Sequence, residues 1–350
     1  MNKIKVLVVD DSAFMRKIVS DIINLDQDLN VVATARNGKE AIEKIKEFSP
    51  DIVTMDVEMP ILDGITTLKE IMKDHPLPVI MVSSVTMEGA EATLKALELG
   101  AVDFITKPTN IFKMNTGDMK SLLTEKIKIA AKAKVTTRIN NQPLKIKNTE
   151  KKLWIPQNKN IKKIVAIGTS TGGPRALQDV IPYLPKNIPA SILIVQHMPA
   201  GFTKSLADRL NNLSEIHVKE AENEEILQPG CAYIAPGAYH LRVIKDQGNL
   251  KIHLSKDELV SGHRPSVNAM MNSLAQIKLN NLVGVIMTGM GSDGAEGMKN
   301  IKEQNGYTIA QDESTCVVYG MPKSAVNLGC IDQIVSLQDI ATTITKIVGV

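Results

Sequence analysis

Ser170 stands in the run Gly168-Thr169-Ser170-Thr171-Gly172-Gly173, directly after a short apolar stretch. His197 and Asp293 stand in the same relation to two later apolar stretches. A serine hydroxyl becomes a nucleophile when a base takes its proton, and the base needs an acceptor to orient it. Serine, histidine and aspartate at three strand ends supply those roles for acyl transfer. The glycines around Ser170 permit a tight turn. The helix expected after them offers N–H groups and a positive dipole end to an oxyanion.

A second constellation lies in the first third of the chain. Asp10 and Asp11, Asp56, Ser83 and Ser84, and Thr106-Lys107-Pro108 each follow or end an apolar run. Carboxylates gathered so closely repel one another unless a cation sits among them. Hard oxygen donors with room for water suit Mg²⁺. The lysine can neutralise a phosphoryl group carried by one of the carboxylates.

Both sets need a scaffold that brings strand ends together. In the first segment, strands are expected at 5–9, 30–35, 52–56, 79–83 and 103–106. Amphipathic helices are expected from about Phe14, Lys39, Ile65 and Glu88, and a fifth from near Met119. Five βα units imply a parallel sheet with helices on both faces, and ligands gather at the carboxyl ends of its strands. The segment from about 161 onward again alternates strand and helix. Asp246-Gln247-Gly248-Asn249 marks a hairpin between 240–245 and 250–255. Ser266 reads as a helix cap, and Arg264-Pro265-Ser266 either touches substrate or starts that helix. The expected fold is therefore α/β twice over: a flavodoxin-like (βα)5 unit, then a second doubly wound unit with a β-hairpin.

Length and composition agree. The chain has 350 residues, which suggests roughly two domains. A hydrophobic fraction of 43% and a charged fraction of 23% exclude disordered and collagen-like classes. Three cysteines without a C-x-x-C pair argue against a disulfide framework or a cysteine-rich zinc site. No apolar run approaches the roughly 18 residues of a membrane span, and a cytoplasmic protein is expected. The net charge of +3 hides a split. Residues 120–163 hold twelve Lys and one Arg against two Glu, leaving the remainder acidic. That stretch reads as a helix tail followed by a solvated tether. The domain expectation is 1–122, a basic linker at 123–160, and 161–350.

Two local patterns compete with the acyl-transfer reading. Gly168–Gly172 fits G-x-S-x-G, but the hydrolase fold that carries this elbow places its triad in the order Ser, Asp, His. The order here is Ser, His, Asp. Gly289-Met290-Gly291-Ser292-Asp293-Gly294 fits the dinucleotide fingerprint, with Asp312 where a ribose-binding acid would stand. Too little chain follows Asp312 to complete an ordinary dinucleotide-binding domain. A response regulator whose second half only binds a partner is the remaining alternative.

Residues 1 to about 120 resemble the receiver domain of two-component response regulators, through VVDDS, TMDVEMPILDG, MVSS and DFITKP. The resemblance implies Asp56 as phosphoacceptor and Asp10, Asp11 and Asp56 as Mg²⁺ ligands, helped by a backbone carbonyl of Val57 or Glu58. It implies Ser83 as switch hydroxyl, Phe104 as switch aromatic and Lys107 as phosphate partner. Residues from about 161 are similar to the catalytic domain of the chemotaxis methylesterases, the CheB family. The carriers are AIGTSTGGPRAL, VQHMPAGFTKSLADRL, AYIAPGAYH, GHRPSVNAMM and GVIMTGMGSDGAEGM.

That resemblance implies a phosphorylation-regulated esterase that hydrolyses glutamate γ-methyl esters on chemoreceptors and deamidates particular receptor glutamines. Ser170 is then the nucleophile, His197 the base and Asp293 the orienting acid, with Thr171 and Met290 as backbone oxyanion donors. A chemotaxis histidine kinase is the implied phosphodonor. The receiver is expected to cover the Ser170 edge until Asp56 is phosphorylated, when Ser83 and Phe104 move inward. No cofactor is expected for the ester chemistry itself. Neither nucleic acid nor a membrane-embedded state is expected, and the chain is expected to be a monomer.

Overall fold

The computed structural model of the chain describes residues 3–84, 86–107, 117–133 and 161–350. The chain divides into two compact units, Met1–Asn141 and Gln142–Val350.

The first unit runs β1 (Ile4–Val9), α1 (Ala13–Asn24), β2 (Leu29–Ala35), α2 (Gly38–Phe48) and β3 (Ile52–Asp56). It continues through α3 (Gly64–Asp74), β4 (Val79–Ser83), α4 (Met87–Leu99), β5 (Asp103–Thr106) and α5 (Gly117–Ala130). The strands form one parallel sheet in the order β2-β1-β3-β4-β5. β3 and β4 are buried along their whole length, as strands covered on both faces must be. Ser12, Asn37, Asp63 and Thr86 each cap a helix by accepting a first-turn backbone N–H. Each such cap contributes about 1 kcal/mol. Successive connections leave β1 toward opposite sides, so a crevice opens between the carboxyl ends of β1 and β3.

α5 runs past residue 122, the expected boundary, and buries Leu123, Ile127 and Ala130. Lysines at 120, 126 and 128 obscure its apolar stripe in the sequence. The expected tether at 134–160 and Pro108 lie outside the described residues.

The second unit opens with β6 (Lys163–Thr169), α6 (Gly173–Gln178), β7 (Ala190–Gln196), α7 (Phe202–Leu213), β8 (His217–Glu220) and β9 (Cys231–Ile234). The hairpin β10 (His240–Asp246) and β11 (Asn249–Ser255) follows, then α8 (Val267–Gln276), β12 (Leu282–Ile286) and α9 (Ala295–Glu303). β13 (Tyr307–Gln311), α10 (Met321–Asn327), β14 (Gln333–Val335) and α11 (Leu337–Val348) complete it. The sheet has seven parallel strands in the order β14-β13-β12-β6-β7-β9-β8.

α8, α9 and α10 pack together with the hairpin, while α6, α7 and α11 meet around a single 3-10 turn at Ile181–Tyr183. The core between sheet and α8 includes Ile164, Leu193, Tyr233, Met270 and Leu274, each fully buried. The hairpin closes through Gln247 and Gly248, both at positive φ, as a two-residue turn between twisted strands requires. β8 was not legible in the sequence, because a four-residue edge strand carrying Lys219 and Glu220 has no apolar run. From β6 the chain steps outward to β7, while β12 on its other side steps away to β13. The β12–β6 boundary is therefore the topological switch point of this sheet.

Candidate active site

Ser170 leaves the carboxyl end of β6 at that boundary. Its N–H donates to the Thr288 carbonyl at 3.0 Å. Its own carbonyl accepts from Gly173 N at 2.7 Å and from Gln196 Nε2 at 3.0 Å. The neighbouring backbone comes very close: a Cβ on Gly289 would lie 2.9 Å from Ser170 Cβ. A Cβ on Gly173 would lie 2.0 Å from Gln196 Oε1. Glycine is needed at both positions because backbone or a packed side chain already fills the space.

His197 follows β7, and its N–H donates to the Thr169 carbonyl at 3.2 Å. Its Nε2 lies 2.8 Å from Asp293 Oδ2. The same carboxylate oxygen accepts from Val267 N at 2.7 Å. Asp293 Oδ1 accepts from Ser266 Oγ at 2.9 Å and Asn268 N at 3.0 Å. The buried carboxylate thus sits on the N-terminal turn of α8, the positive end of that helix. Burial pushes Asp293 up, but the His197 ring and the Asn268 and Val267 N–H groups hold it below the ordinary carboxylate value.

This arrangement fixes the imidazole tautomer. An ionised carboxylate only accepts, so Nε2 carries the proton and a neutral ring keeps its lone pair on Nδ1. Nδ1 is buried and has no hydrogen-bond partner among the described residues. The ring is therefore turned end for end relative to the serine-protease template, where Nδ1 faces the carboxylate. His263 stacks on the His197 ring, with centroids 3.8 Å apart and planes 14° from parallel. Of the other histidines in this unit, His240 is buried with Nε2 on the Glu258 carbonyl, and His253 sits on the hairpin 3.9 Å from Glu224.

Thr171 is buried, and its carbonyl accepts from Thr288 Oγ1 at 2.9 Å. The Met290 N–H makes no hydrogen bond among the described residues, and its neighbour Gly289 touches Ser170. Gln196, Thr288 and Asn268 were not singled out from the sequence. Each is a polar residue at a strand or helix end, and that is the signal that could have found them. Ser266 does cap α8, accepting from Ala269 N at 3.2 Å, and in the same place donates to Asp293.

In the first unit, Asp10, Asp11 and Asp56 meet at the β1–β3 crevice, with ligand oxygens within 4.8 Å of one another. Lys107 Nζ lies 2.6 Å from Asp56 Oδ2 and 3.0 Å from Asp10 Oδ2. Burial pushes Asp56 up to about 6; Lys107 and the Glu58 N–H oppose this, and Asp10 adds to it. The first helix is capped by Ser12, which leaves the Asp11 carboxylate outside the capping role. Asp10 Oδ1 accepts from Ser12 N at 2.9 Å. Ser83 Oγ donates to the Gly89 carbonyl at 3.1 Å, on the first turn of α4, and so is turned toward that helix. Phe104 is buried on β5.

The CheB methylesterase family model matches residues 165–344, and the response regulator receiver domain matches residues 6–116. A protein-glutamate methylesterase/protein-glutamine glutaminase of Halalkalibacterium halodurans is 50% identical over 345 residues, covering 99% of this chain and 98% of that protein. The chain belongs to the CheB methylesterase family. The equivalent protein of Bacillus subtilis is 47% identical, over 99% of this chain and 98% of its own. The Thermotoga maritima CheB methylesterase catalytic domain covers 53% of this chain and 97% of its own, at 47% identity and TM-score 0.51. Within this family the Gly289–Gly294 loop is not a dinucleotide fingerprint. Gly294, at φ +94°, lets the loop pass α8, since a Cβ there would lie 2.7 Å from Val267 Cγ1. Among the described residues, no helix is long and apolar enough to cross a membrane.

Proposed function

We propose that the second unit is a serine esterase acting on glutamate γ-methyl esters of chemoreceptors, and on particular receptor glutamines, under control of Asp56 phosphorylation. The observation that carries this reading is the His197 ring, with Nε2 held by an ionised Asp293 and Nδ1 buried without a partner. Such a ring is an oriented base awaiting a proton.

Ser170 Oγ attacks the ester carbonyl and passes its proton to His197 Nδ1. The imidazolium is stabilised by Asp293, which stays ionised because α8 and Ser266 also donate to it. Thr171 N–H and Met290 N–H are the candidate donors to the tetrahedral oxyanion. Collapse returns the proton to the leaving methanol, or to ammonia from a glutamine. Water, deprotonated by the same ring, then attacks the acyl-enzyme, and the proton passes to Ser170 Oγ as its bond to the glutamyl carbonyl breaks.

In the first unit, Asp56 is the phosphoacceptor and Lys107 the partner of the added phosphoryl group. Three carboxylates within 4.8 Å fit a hard divalent cation, and Asp10, Asp11 and Asp56 would hold Mg²⁺. When bound, the ion supplies positive charge that offsets the clustered carboxylates and the phosphoryl oxygens. Ser83 is the switch hydroxyl, and Phe104 the switch aromatic. The reading carries a cytoplasmic location for this protein, a chemotaxis histidine kinase as phosphodonor, and a domain division of 1–122, a linker at 123–160, and 161–350.

The test is methanol release from methylated receptor membranes, with and without a small phosphodonor plus Mg²⁺. Wild type, Ser170→Ala and Asp56→Ala are compared. Release that needs Ser170, and stimulation that needs Asp56, are expected. A folded wild type that releases no methanol under either condition would overturn the substrate assignment.

A further inference from the structure

The esterase reading uses His197 but says nothing of the second imidazole lying flat against it. The centroid distance of 3.8 Å and the 14° interplanar angle are those of a full ring stack. His263 is delivered there by a loop held at several points. Val260 and His263 exchange two backbone hydrogen bonds, at 3.2 and 3.0 Å. His240 Nε2 meets the Glu258 carbonyl at 2.9 Å. Arg264 donates to the carbonyls of Lys256 and Asp257 at 2.8 and 2.7 Å. Arg242 reaches the Asp257 carboxylate at 2.7 Å.

We propose that His263 is a positioning residue for the esterase: its stacked ring holds the plane of the His197 imidazole, so that Nε2 keeps Asp293 while the Nδ1 lone pair stays available to a proton. This inference rests on the assignment of His197 as base. The need for such a part follows from the geometry. The Cβ–Cγ bond and the hydrogen bond at Nε2 hold the ring at nearly opposite ends and leave rotation about the line between them. Among the described residues Nδ1 has no partner to oppose that rotation. A flat neighbour at van der Waals contact removes the remaining freedom. Asp293 meets the His197 ring at its edge and His263 lies on its face. An aromatic ring of similar size and no charge should do the same work, whereas an aliphatic residue should not.

The experiment compares His263→Ala and His263→Phe in the full chain, each checked for a wild-type thermal unfolding profile. Two readouts are taken: kcat and KM for methanol release from methylated receptor membranes, and the downfield proton resonance of His197 Nε2–H in the resting protein. For His263→Ala, kcat is expected to fall by about tenfold to a hundredfold with KM changed less than about threefold, as for a misplaced reacting group. Its downfield resonance should broaden or vanish. His263→Phe should recover most of kcat and the resonance.

Unchanged kcat and a sharp resonance in a folded His263→Ala protein would overturn the proposal. So would a His263→Phe protein as impaired as His263→Ala by both measures. If wild type itself released no methanol, the substrate assignment would fall, and the resonance alone would still decide whether His263 holds the ring.

Discussion

Replacing Asp293 by Asn tests the acid's role and its structural support at once. Each carboxylate oxygen accepts from two donors: Oδ2 from His197 Nε2 and Val267 N, and Oδ1 from Ser266 Oγ and Asn268 N. The Asp293→Asn amide has one oxygen, so in either orientation its NH₂ group meets a backbone N–H of α8 that has lost its acceptor. An unsatisfied buried N–H costs about 1–3 kcal/mol, and the surviving bonds lose their charge assistance. A loss of about 2–4 kcal/mol is expected in the second unit, read as a lower urea midpoint.

The rate should fall further than stability explains. With the NH₂ toward His197, the ring must shift its proton to Nδ1 and can no longer take the serine proton. With the NH₂ toward Asn268, the tautomer survives, but the imidazolium has no negative partner. A drop of about 10³–10⁴ in kcat is expected, by analogy with the orienting aspartate of a serine protease. Urea unfolding followed by far-UV CD gives the first number, and methanol release from methylated receptor membranes the second. A variant with wild-type midpoint and kcat within about threefold would refute both the tautomer argument and the capping argument.

Three further outcomes are expected. Asp293 lies below its unfolded value of about 3.9, so the stability it contributes is full above that pH and is lost as pH falls through the lower folded value. Acid unfolding of wild type should therefore be steeper below about pH 4 than that of Asp293→Asn, and parallel curves would contradict it. Lys107→Met leaves two buried carboxylates without their cation and should lower first-unit stability by about 2 kcal/mol, less than a fully buried pair because the lysine is partly exposed. Thermal melts should show Mg²⁺ recovering more stability in that variant than in wild type, and an unchanged melting temperature would count against the pairing. Ile61 holds φ +70° with its side chain 80% exposed, a backbone region that penalises β-branched residues. Ile61→Gly should stabilise the first unit by about 1 kcal/mol in urea titrations, and destabilisation would mean the side chain packs in solution.

Much of both sites was legible because strand ends announce themselves. Each apolar run of four to eight residues stops where a polar group enters, and parallel sheets bring those stops to one edge. Asp10, Asp56, Lys107, Ser170 and His197 could be placed by that rule alone. Strand order could not, since nothing in β12 or β6 says that residues 282–286 pair with 164–168. The support of Asp293 by Ser266, Val267 and Asn268 was also hidden, because a helix cap in sequence carries no mark of a distant carboxylate. The Gly289–Gly294 loop misled for a related reason. Glycines placed for close backbone packing look like glycines placed for a pyrophosphate. The ring flip of His197 and the His263 stack depend on side-chain direction, which no spacing rule encodes. In the first unit Ser83 stands at a strand end and Phe104 came only with the receiver resemblance; the turn of Ser83 toward the Gly89 carbonyl and the burial of Phe104 depend on side-chain direction.

The wide sequence separation within the second site has a consequence during synthesis. The hydrogen bonds that join it span 96 residues between His197 and Asp293, and more than that between β6 and the Thr288 turn. A ribosome exposes Ser170 and His197 long before the chain that carries Asp293 exists. Until α8 and the loop after β12 have both emerged and docked, no partly folded species holds an oriented imidazole. Assembly this non-local is slow compared with local helix formation. The arrangement of Ser170, His197 and Asp293 is therefore complete only with a nearly complete sheet.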